Sequence, residues 1–471
     1  MSWAVSTINS LILERQNRQT VVKQEIAQSA SGAQTIVGPV LAVPYVEEYT
    51  ETFTDNKLKK TVTKRDEYIT YYLPENLELS GAFSNEYKKL GLYKALMYQL
   101  GGNIKGSFRL PANFNVKPAH KDGRITFSLA YIGLGISDTR GISGKPTFSW
   151  NNKAFKFEQG SHINALGNGI HANVGVITAT TEQVVPFEFK LNLLGMENFS
   201  FTPIAENNTI ALNSSWQHPY FNGSFLPISK KIGSTGFSGK WAVSSLSSSN
   251  QATLNAMLFD GVSTSVQSSG YADVAGSARD TVSAAASTQS GKPLESLSVG
   301  FAEPINVYSQ ADRATKYGLL FIGLTFAGFF IFEILKNLRI HPAQYTLVGL
   351  AMALFYLLLI SLSEQISFVA SYLIASFSCV ALLGYYLTHV LKSKAHGLTF
   401  AALLTALYGA LYIILASEDN ALLMGSLLVF GLLALVMIIT RKVDWYAFSQ
   451  KDMPNQDTLN SAIQNTNNSV V

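Results

Sequence analysis

The chain has 471 residues, 47% of them apolar and only 14% charged, and its formal net charge is +4. Soluble domains usually carry about 25% charged residues, so this composition indicates that part of the chain lies in lipid. The small charge, without a basic stripe or tail, argues against a nucleic-acid partner. The single cysteine, Cys379, excludes an intrachain disulfide framework and a multi-cysteine metal site.

Residues 1–30 predict a membrane-proximal helix. The apolar positions among its polar residues are Ile8, Leu11, Ile12, Val22 and Ile26. This pattern is typical of the polar continuation of a helix that leaves the membrane. The apolar segment is too short for a signal peptide and no basic region precedes it. We therefore expect the natural protein to carry one more apolar helix upstream.

Residues 31–310 predict a β-rich domain on the export side of the membrane. Leu41–Thr54 and Leu58–Leu73 are rich in Tyr, Thr, Val and Ile and flank Asp55-Asn56, which predicts a hairpin. Further predicted strands are Lys105–Leu110, Ile125–Tyr131, Phe187–Leu194 and Thr209–Trp216. Many short strands with few helical periods favour an all-β sandwich.

Residues 244–290 are rich in Ser, Ala and Gly and contain few large apolar side chains. Such a composition buries too little apolar area to offset the entropy of ordering it. We expect a flexible excursion from the β-rich domain, with short helices at most.

Residues 317–440 contain five apolar runs of membrane-spanning length. They are Tyr317–Leu335, Tyr345–Leu362, Phe368–Val390, Leu398–Ala416 and Ala421–Thr440. A set of buried core helices is the alternative, but five such runs with only short polar connections favour transmembrane helices.

Charges in the loops predict the orientation of this five-helix domain. The basic residues after the first, third and fifth runs are Lys336, Arg339, Lys392, Lys394, Arg441, Lys442 and Lys451. The opposite loops hold Glu364, Glu418 and Asp419 without Lys or Arg, whereas Arg313 and Lys316 weakly oppose the assignment. The positive-inside rule then places the tail, residues 441–471, in the cytoplasm and residues 1–315 on the export side.

Several motifs along the chain suggest a family. The first are Ser31-Gly32-Ala33-Gln34 with Val37-Gly38-Pro39, and Trp216-Gln217-His218-Pro219 with Gly223-Ser224-Phe225-Leu226-Pro227. The others are Asp312–Tyr317, Arg339–Tyr345, Leu362-Ser363-Glu364 and Arg441–Tyr446. Their order and spacing resemble the CreD family of inner-membrane cell-envelope integrity proteins over nearly the whole chain.

The resemblance implies a bacterial inner-membrane protein whose gene accompanies a sensor-kinase and response-regulator pair. It implies a role in envelope integrity and supplies no reaction, cofactor or catalytic residue. The sequence departs from the family in two places. It lacks the apolar helix that precedes Ile8 in the family, and its Ser/Ala-rich stretch before Leu294 is longer.

The outer domain holds two candidates, His218 and Trp216. His218 could line a surface cleft, with a structural histidine as the alternative. Trp216 belongs to an aromatic group that could bind a glycan or an envelope protein. A core position for the aromatic group Trp216, Phe221, Phe225 and Trp241 is the alternative. His162 and His171 lack metal-ligand spacing, so we expect loop positions for them. No phosphate-binding loop, Gly-x-Ser-x-Gly or His-Glu-x-x-His motif occurs. We expect no cofactor, metal or catalytic residue.

Two carboxylates in the apolar runs, Glu333 and Glu364, are functional candidates because charges in membrane spans are costly. Both lie near span ends, so an interfacial charge is the simpler interpretation. We therefore expect a non-enzymatic envelope protein whose β-rich domain acts as an interaction or structural module. A transporter or flippase is the alternative, and a membrane-tethered hydrolase is a third possibility.

Overall fold

A computed structural model describes residues 2–55, 58–259, 293–303, 307–336, 341–390, 394–416 and 421–441. Its helices are α1 (Ser2–Ser29), α2 (Asn250–Phe259), α3 (Val307–Lys336), α4 (Pro342–Ser363), α5 (Phe368–Val390), α6 (Lys394–Ala416) and α7 (Ala421–Thr440). Several charges used for the orientation lie outside the described residues: Arg339, Lys392, Glu418, Asp419, Lys442 and Lys451. Most of the Ser/Ala-rich stretch and of the tail also lies outside them.

The strands are numbered in chain order. They are β1 (Gln34–Asp55), β2 (Leu58–Tyr72), β3 (Asn76–Leu90), β4 (Tyr93–Leu110), β5 (Arg124–Phe127), β6 (Ala130–Ile136), β7 (Ile142–Trp150), β8 (Lys153–Phe155), β9 (Glu158–Gln159), β10 (Gly169–Gly175), β11 (Gln183–Met196), β12 (Asn198–Thr202), β13 (Asn207–Ser214), β14 (Pro219–Gly223), β15 (Ser229–Gly233), β16 (Gly236–Ser244) and β17 (Leu297–Phe301).

These strands form two mixed sheets. The first has nine strands in the order β14-β17-β12-β1-β6-β10-β9, with β2 and β5 also paired to β1. The second has eight strands in the order β15-β16-β13-β3-β4-β11-β7-β8. The predicted β-rich region is therefore confirmed. The predicted hairpin is confirmed as well, since β1 and β2 pair antiparallel from Leu41↔Tyr72 to Asp55↔Leu58.

One apolar core lies between the two sheets. The Phe83 ring of β3 in the second sheet is 5.4 Å from Phe199 of β12 and 5.1 Å from Phe301 of β17 in the first sheet. The Tyr98 hydroxyl of β4 also donates a hydrogen bond of 2.8 Å to the Asn198 carbonyl of β12. Alternate residues of the strands face this core, as the burial of β3 and β11 shows.

Five helices follow the sandwich in the chain. Three of them, α4, α5 and α6, are long and apolar enough to cross a membrane, with mean hydropathies of 2.2, 1.8 and 2.1. The remaining two predicted spans fall on helices α3 and α7. The C-terminal region is thus helical as predicted, and five membrane crossings stay a prediction.

The described chain divides into two compact units. The β-rich unit runs from Asn17 to Glu303 and the helical unit joins the first sixteen residues to helices α3–α7. Helix α1 contributes to both. Its Ile8 and Ile12 are buried in the same apolar cluster as residues of α3–α6, whereas its Val22 and Ile26 are 4% and 3% exposed. Each half of α1 therefore contributes two buried apolar side chains.

We predict that residues 17–303 fold as a separate unit without helices α3–α7. Circular dichroism is expected to show mainly strand, with one cooperative melt that neither reductant nor chelator changes. A shorter fragment beginning at Ser31 is expected to melt at a lower temperature, because it loses the burial of Val22 and Ile26. Fully burying such side chains contributes about 1.5–3 kcal/mol each. Equal melting of the two fragments, or a chelator-sensitive melt, would contradict this prediction.

Candidate functional site

The structure brings Trp216 and His218 together just after β13. Their rings lie 6.5 Å apart in an edge-to-face arrangement. The indole N–H of Trp216 donates a 3.1 Å hydrogen bond to the Ala302 carbonyl, and the Ala302 N–H donates one of 3.1 Å to the His218 carbonyl. Both candidates thus hold the segment after β17, where the chain leaves the β-rich unit. Trp216 is partly buried and His218 is exposed.

Tyr87 and Glu303 lie near these two residues. We call the four residues Tyr87, Trp216, His218 and Glu303 the exit cluster. The Tyr87 ring packs edge-on against Trp216 at 6.1 Å, and the Lys94 ammonium lies 4.4 Å above the Tyr87 ring. Burial raises the pKa of the Glu303 carboxyl, and it outweighs the opposing attraction of Lys23 and Lys94. One Glu303 oxygen is buried without a hydrogen-bond partner among the described residues.

Glu197 supplies a buried carboxylate near the half-buried Glu303. Its Oε1 is 2.7 Å from the Lys23 ammonium of α1, and the two side chains are only 8% and 16% exposed. Glu197 adopts a φ of 59°, which is uncommon for a residue with a side chain. A buried ion pair is costly to break because one partner is left as an unpaired charge. The pair therefore fixes α1 to the turn between β11 and β12.

The two candidate carboxylates of the helical unit each tie helices together. Glu333 of α3 accepts a 2.7 Å hydrogen bond from the Tyr345 hydroxyl of α4. Glu364, the residue after α4, accepts one of 3.2 Å from the Tyr308 hydroxyl of α3 and lies 3.6 Å from Arg15 of α1. The Glu364 side chain is 11% exposed, so these contacts replace most of its hydration.

His162 and His171, expected in loops, form a stacked pair with ring centroids 3.9 Å apart. The loop expectation is wrong for His171, which lies in β10 and is buried. His171 lies in the sheet because β10 pairs with β6 on one side and with β9 on the other. Its Nδ1 is 2.7 Å from the Gly160 carbonyl oxygen. Among the described residues no group of three or more His, Cys, Asp and Glu could hold a metal ion.

Sequence reasoning missed the role of Gln34. Its side chain is buried and its Nε2 donates to the Ser31 hydroxyl at 2.6 Å and to the carbonyls of Asp138 and Leu194 at 2.9 and 3.0 Å. Its Oε1 accepts from the Ser137 hydroxyl at 3.1 Å. The Ser-Gly-Ala-Gln motif was visible in the sequence, but the distant partners were not.

His341 and its neighbours have a local role that the sequence could have revealed. The His341 Nδ1 accepts the Ala343 N–H at 3.2 Å, and the Gln344 side chain accepts the His341 N–H at 3.2 Å. With Pro342 in the first turn, this is a capping box that starts α4. The motif around His341 thus serves to begin a helix.

A cluster of buried hydroxyls between α5 and α6 was also missed. The Tyr372 hydroxyl donates to the Tyr408 carbonyl at 2.6 Å, and the Tyr408 hydroxyl lies 3.2 Å from the Cys379 sulfur. Tyr356 of α4 is buried in the same apolar cluster. Tyrosines in apolar runs resemble ordinary core residues in a sequence, so nothing marked them as a group. The arrangement joins helices through neutral hydrogen bonds.

A shallow depression of about 450 Å³ lies on the outer face of the eight-stranded sheet. Its polar lining includes Asn76, Glu78, Lys105, Ser107 and Glu188, with Glu78 and Lys105 paired at 3.2 Å. No histidine is among the described residues that line it. Its two glutamates and its lysine are the ionisable groups among these lining residues.

Comparison with known proteins agrees with the motifs. A sequence model of the family described as "Inner membrane protein CreD" matches residues 1–446. The "Inner membrane protein CreD" of Escherichia coli K12 is 33% identical over 453 residues, which is 95% of this chain and 91% of that protein. The chain belongs to the CreD family. It is therefore an inner membrane protein.

Likenesses to solved structures add nothing to the CreD assignment. A Legionella pneumophila protein described as nutrient-binding covers 36% of this chain and 62% of its own length at 6% identity, with a TM-score of 0.21. A zinc metallopeptidase of Deinococcus radiodurans covers 36% of this chain and 37% of its own at 7% identity, with a TM-score of 0.17. Such scores carry no argument about fold or function.

We predict that Glu364→Gln and Glu333→Gln leave the membrane abundance of this CreD family member nearly unchanged, because glutamine keeps an oxygen that accepts the tyrosine hydroxyl. Glu364→Ala removes the acceptor of both contacts and is expected to destabilise the protein by about 1–3 kcal/mol. Abundance and melting in detergent measure this. Loss of an envelope phenotype by a glutamine variant at normal abundance would instead make that carboxylate functional.

We predict that Glu303 makes the β-rich unit less stable as pH rises. A raised carboxyl pKa means that the folded state binds more protons, so stability falls between the ordinary pKa of about 4.3 and the higher folded value. Glu303→Gln is expected to raise the melting temperature at about pH 7.5 and to have no effect near pH 4.

The matched control for Glu303→Gln is Glu78→Gln, which makes the same charge change at an exposed residue of β3. This control is expected to shift the melting temperature less at about pH 7.5. A Glu303→Gln variant that is less stable at neutral pH would show that the attraction of Lys23 and Lys94 exceeds the cost of burial.

Proposed function

We propose that this protein is a non-enzymatic component of the cell envelope, in which the β-rich unit acts as an interaction or structural module. The partner is an envelope protein or a glycan, and the protein serves envelope integrity under stress. This proposal rests on membership of the CreD family and on the contacts of the candidate residues. It includes no cofactor and no catalytic residue.

One observation carries the proposal: three of the four candidate side chains bind another structural element. Glu333 accepts from Tyr345, Glu364 contacts Tyr308 and Arg15, and Trp216 donates to Ala302. A catalytic acid or base needs a free face toward substrate. Residues that join helices or strands instead support a structural role for these positions.

Five membrane spans, helices α3–α7, complete the proposed topology. Lys336 ends α3, Lys394 begins α6 and Arg441 follows α7. The positive-inside rule puts these three positions in the cytoplasm. The β-rich unit then lies in the periplasm and the C-terminus in the cytoplasm. Alkaline phosphatase is active only in the periplasm, so fusions after Glu303 and after Arg441 distinguish this orientation from its inverse.

A transporter or flippase is the second candidate function. The observation that favours it is the buried hydroxyl cluster of Tyr372 and Tyr408 between α5 and α6. Those hydroxyls are neutral and bonded within the bundle, whereas ion and proton pathways use ionisable groups at mid-depth. We therefore rank this candidate below the envelope module.

Expressing the two units of the chain separately distinguishes these candidate functions. Cells lacking the gene receive the full chain, the β-rich unit exported with a foreign signal peptide, or the helical unit alone. Survival of detergent and osmotic stress is measured at matched protein abundance. We predict that only the full chain restores survival, because a module must be anchored to act. Excess exported β-rich unit is expected to lower survival of cells that hold the full chain, because it competes for the partner.

Two results would contradict the envelope-module proposal. Restoration by the exported β-rich unit alone would favour a hydrolase, since an enzyme needs no anchor to turn over a periplasmic substrate. Restoration by the helical unit alone would favour a transporter. In that case a Tyr372→Phe variant of the full chain tests the hydroxyl cluster directly.

A further inference from the structure

The hairpin of β3 and β4 extends beyond the strands on either side of it. The neighbour β13 pairs with β3 only as far as Phe83, and β11 pairs with β4 only from Met97 onward. The ribbon itself continues to Leu90↔Tyr93. Its last four residue pairs therefore extend about 14 Å past the paired parts of both neighbours, at roughly 3.4 Å per residue. Tyr93, Ala95 and Leu96 on its β4 side are buried. We call residues Tyr87–Lys94 the tip hairpin.

The tip hairpin is basic and apolar at once. Leu90 and Leu92 are 46% and 53% exposed around a turn in which Gly91 has a φ of 61°. Lys88, Lys89 and Lys94 are exposed, and no acidic residue occurs between Tyr87 and Lys94. An exposed apolar turn flanked by cations is typical of a surface that meets lipid, where apolar groups enter and cations stay at the headgroups.

The lysines of the tip hairpin lack a full set of counter-charges in the protein. Lys89 and Lys94 are directly opposite in the ladder, and like charges in that position repel. Among the described residues neither Lys88 nor Lys89 forms an ion pair. Lys94 lies over the Tyr87 ring and interacts with Glu303. An anion from outside the chain would relieve this repulsion.

The tip hairpin lies at the end of the β-rich unit where the chain leaves it. Tyr87 packs against Trp216, which donates to the Ala302 carbonyl. Helix α3 begins at Val307, four residues after Glu303 in the sequence. In the sequence, an apolar helix thus follows closely after the segment that Trp216 holds.

We propose that the tip hairpin binds the bilayer surface, with Leu90 and Leu92 in the headgroup layer and the three lysines on the phosphates of anionic lipids. Basic residues near a membrane are attracted by anionic lipid, and aromatic side chains such as Tyr87 favour the interface. The inference uses the membrane location of the family and is independent of the proposed envelope role. The ligand class is the anionic phospholipid headgroup.

The test uses the full chain and exploits its single cysteine. Cys379→Ala gives a cysteine-free background, and Leu92→Cys receives an environment-sensitive fluorophore. The matched control is Val184→Cys, since Val184 and Leu92 are both 53% exposed. The Met196↔Met97 and Val184↔Arg109 pairs place Val184 twelve residues from Met196 along β11, about 40 Å toward the other end of the ladder.

Both labelled proteins are reconstituted in nanodiscs of phosphatidylcholine, with or without phosphatidylglycerol. The probe at position 92 is expected to shift to the blue and to be quenched by spin-labelled lipid, more strongly with phosphatidylglycerol. The probe at position 184 is expected to be quenched by iodide alone. A position-92 probe quenched like the control, or one indifferent to phosphatidylglycerol, would overturn the proposal.

A charge variant tests the lysines separately. The triple change Lys88→Gln, Lys89→Gln and Lys94→Gln is expected to abolish the effect of phosphatidylglycerol on the position-92 probe. Its control is Lys153→Gln, Lys190→Gln and Lys240→Gln, which removes the same charge from exposed residues elsewhere on the β-rich unit. Equal effects of the two triple variants would overturn the assignment of the lysines, because net charge alone would then explain the binding.

Discussion

The buried side-chain amide of Gln34 fixes the start of β1 relative to both sheets of the β-rich unit. It bonds to Ser31 ahead of β1, to the Asp138 carbonyl after β6 and to the Leu194 carbonyl in β11. The two sheets are thereby held together where β1 begins. A buried amide with all its bonds made specifies one arrangement, because any other leaves polar atoms unpaired. A unit without cysteine relies on such contacts and on its apolar core.

The sequence predicted those features whose cause is local. Alternating Tyr, Thr and Val around Asp55-Asn56 gave the β1–β2 hairpin, and long apolar runs gave helices α4–α6. The order of the strands within each sheet was not predictable, because neighbours such as the parallel strands β3 and β13 are far apart in the sequence. The contacts of the candidate residues were not predictable for the same reason. Trp216, for example, donates a hydrogen bond to Ala302, 86 residues away.

The candidate residues share a physical property that explains why they resembled functional sites. Glu333 and Glu364 are charges in or beside apolar helices, and such charges require partners. The structure supplies hydroxyls and a guanidinium from neighbouring helices. A polar group that joins two helices and a polar group that binds a substrate are indistinguishable in one sequence.

The exit of the chain from the β-rich unit follows from strand pairing. Strand β17 is held between β12 and β14, and the Phe301 N–H donates to the Glu197 carbonyl at 2.8 Å. Trp216 then fixes Ala302. The residues before Glu303 therefore place it in a half-buried position, and its raised pKa is a consequence of that placement. These contacts fix the segment through which the chain leaves the β-rich unit.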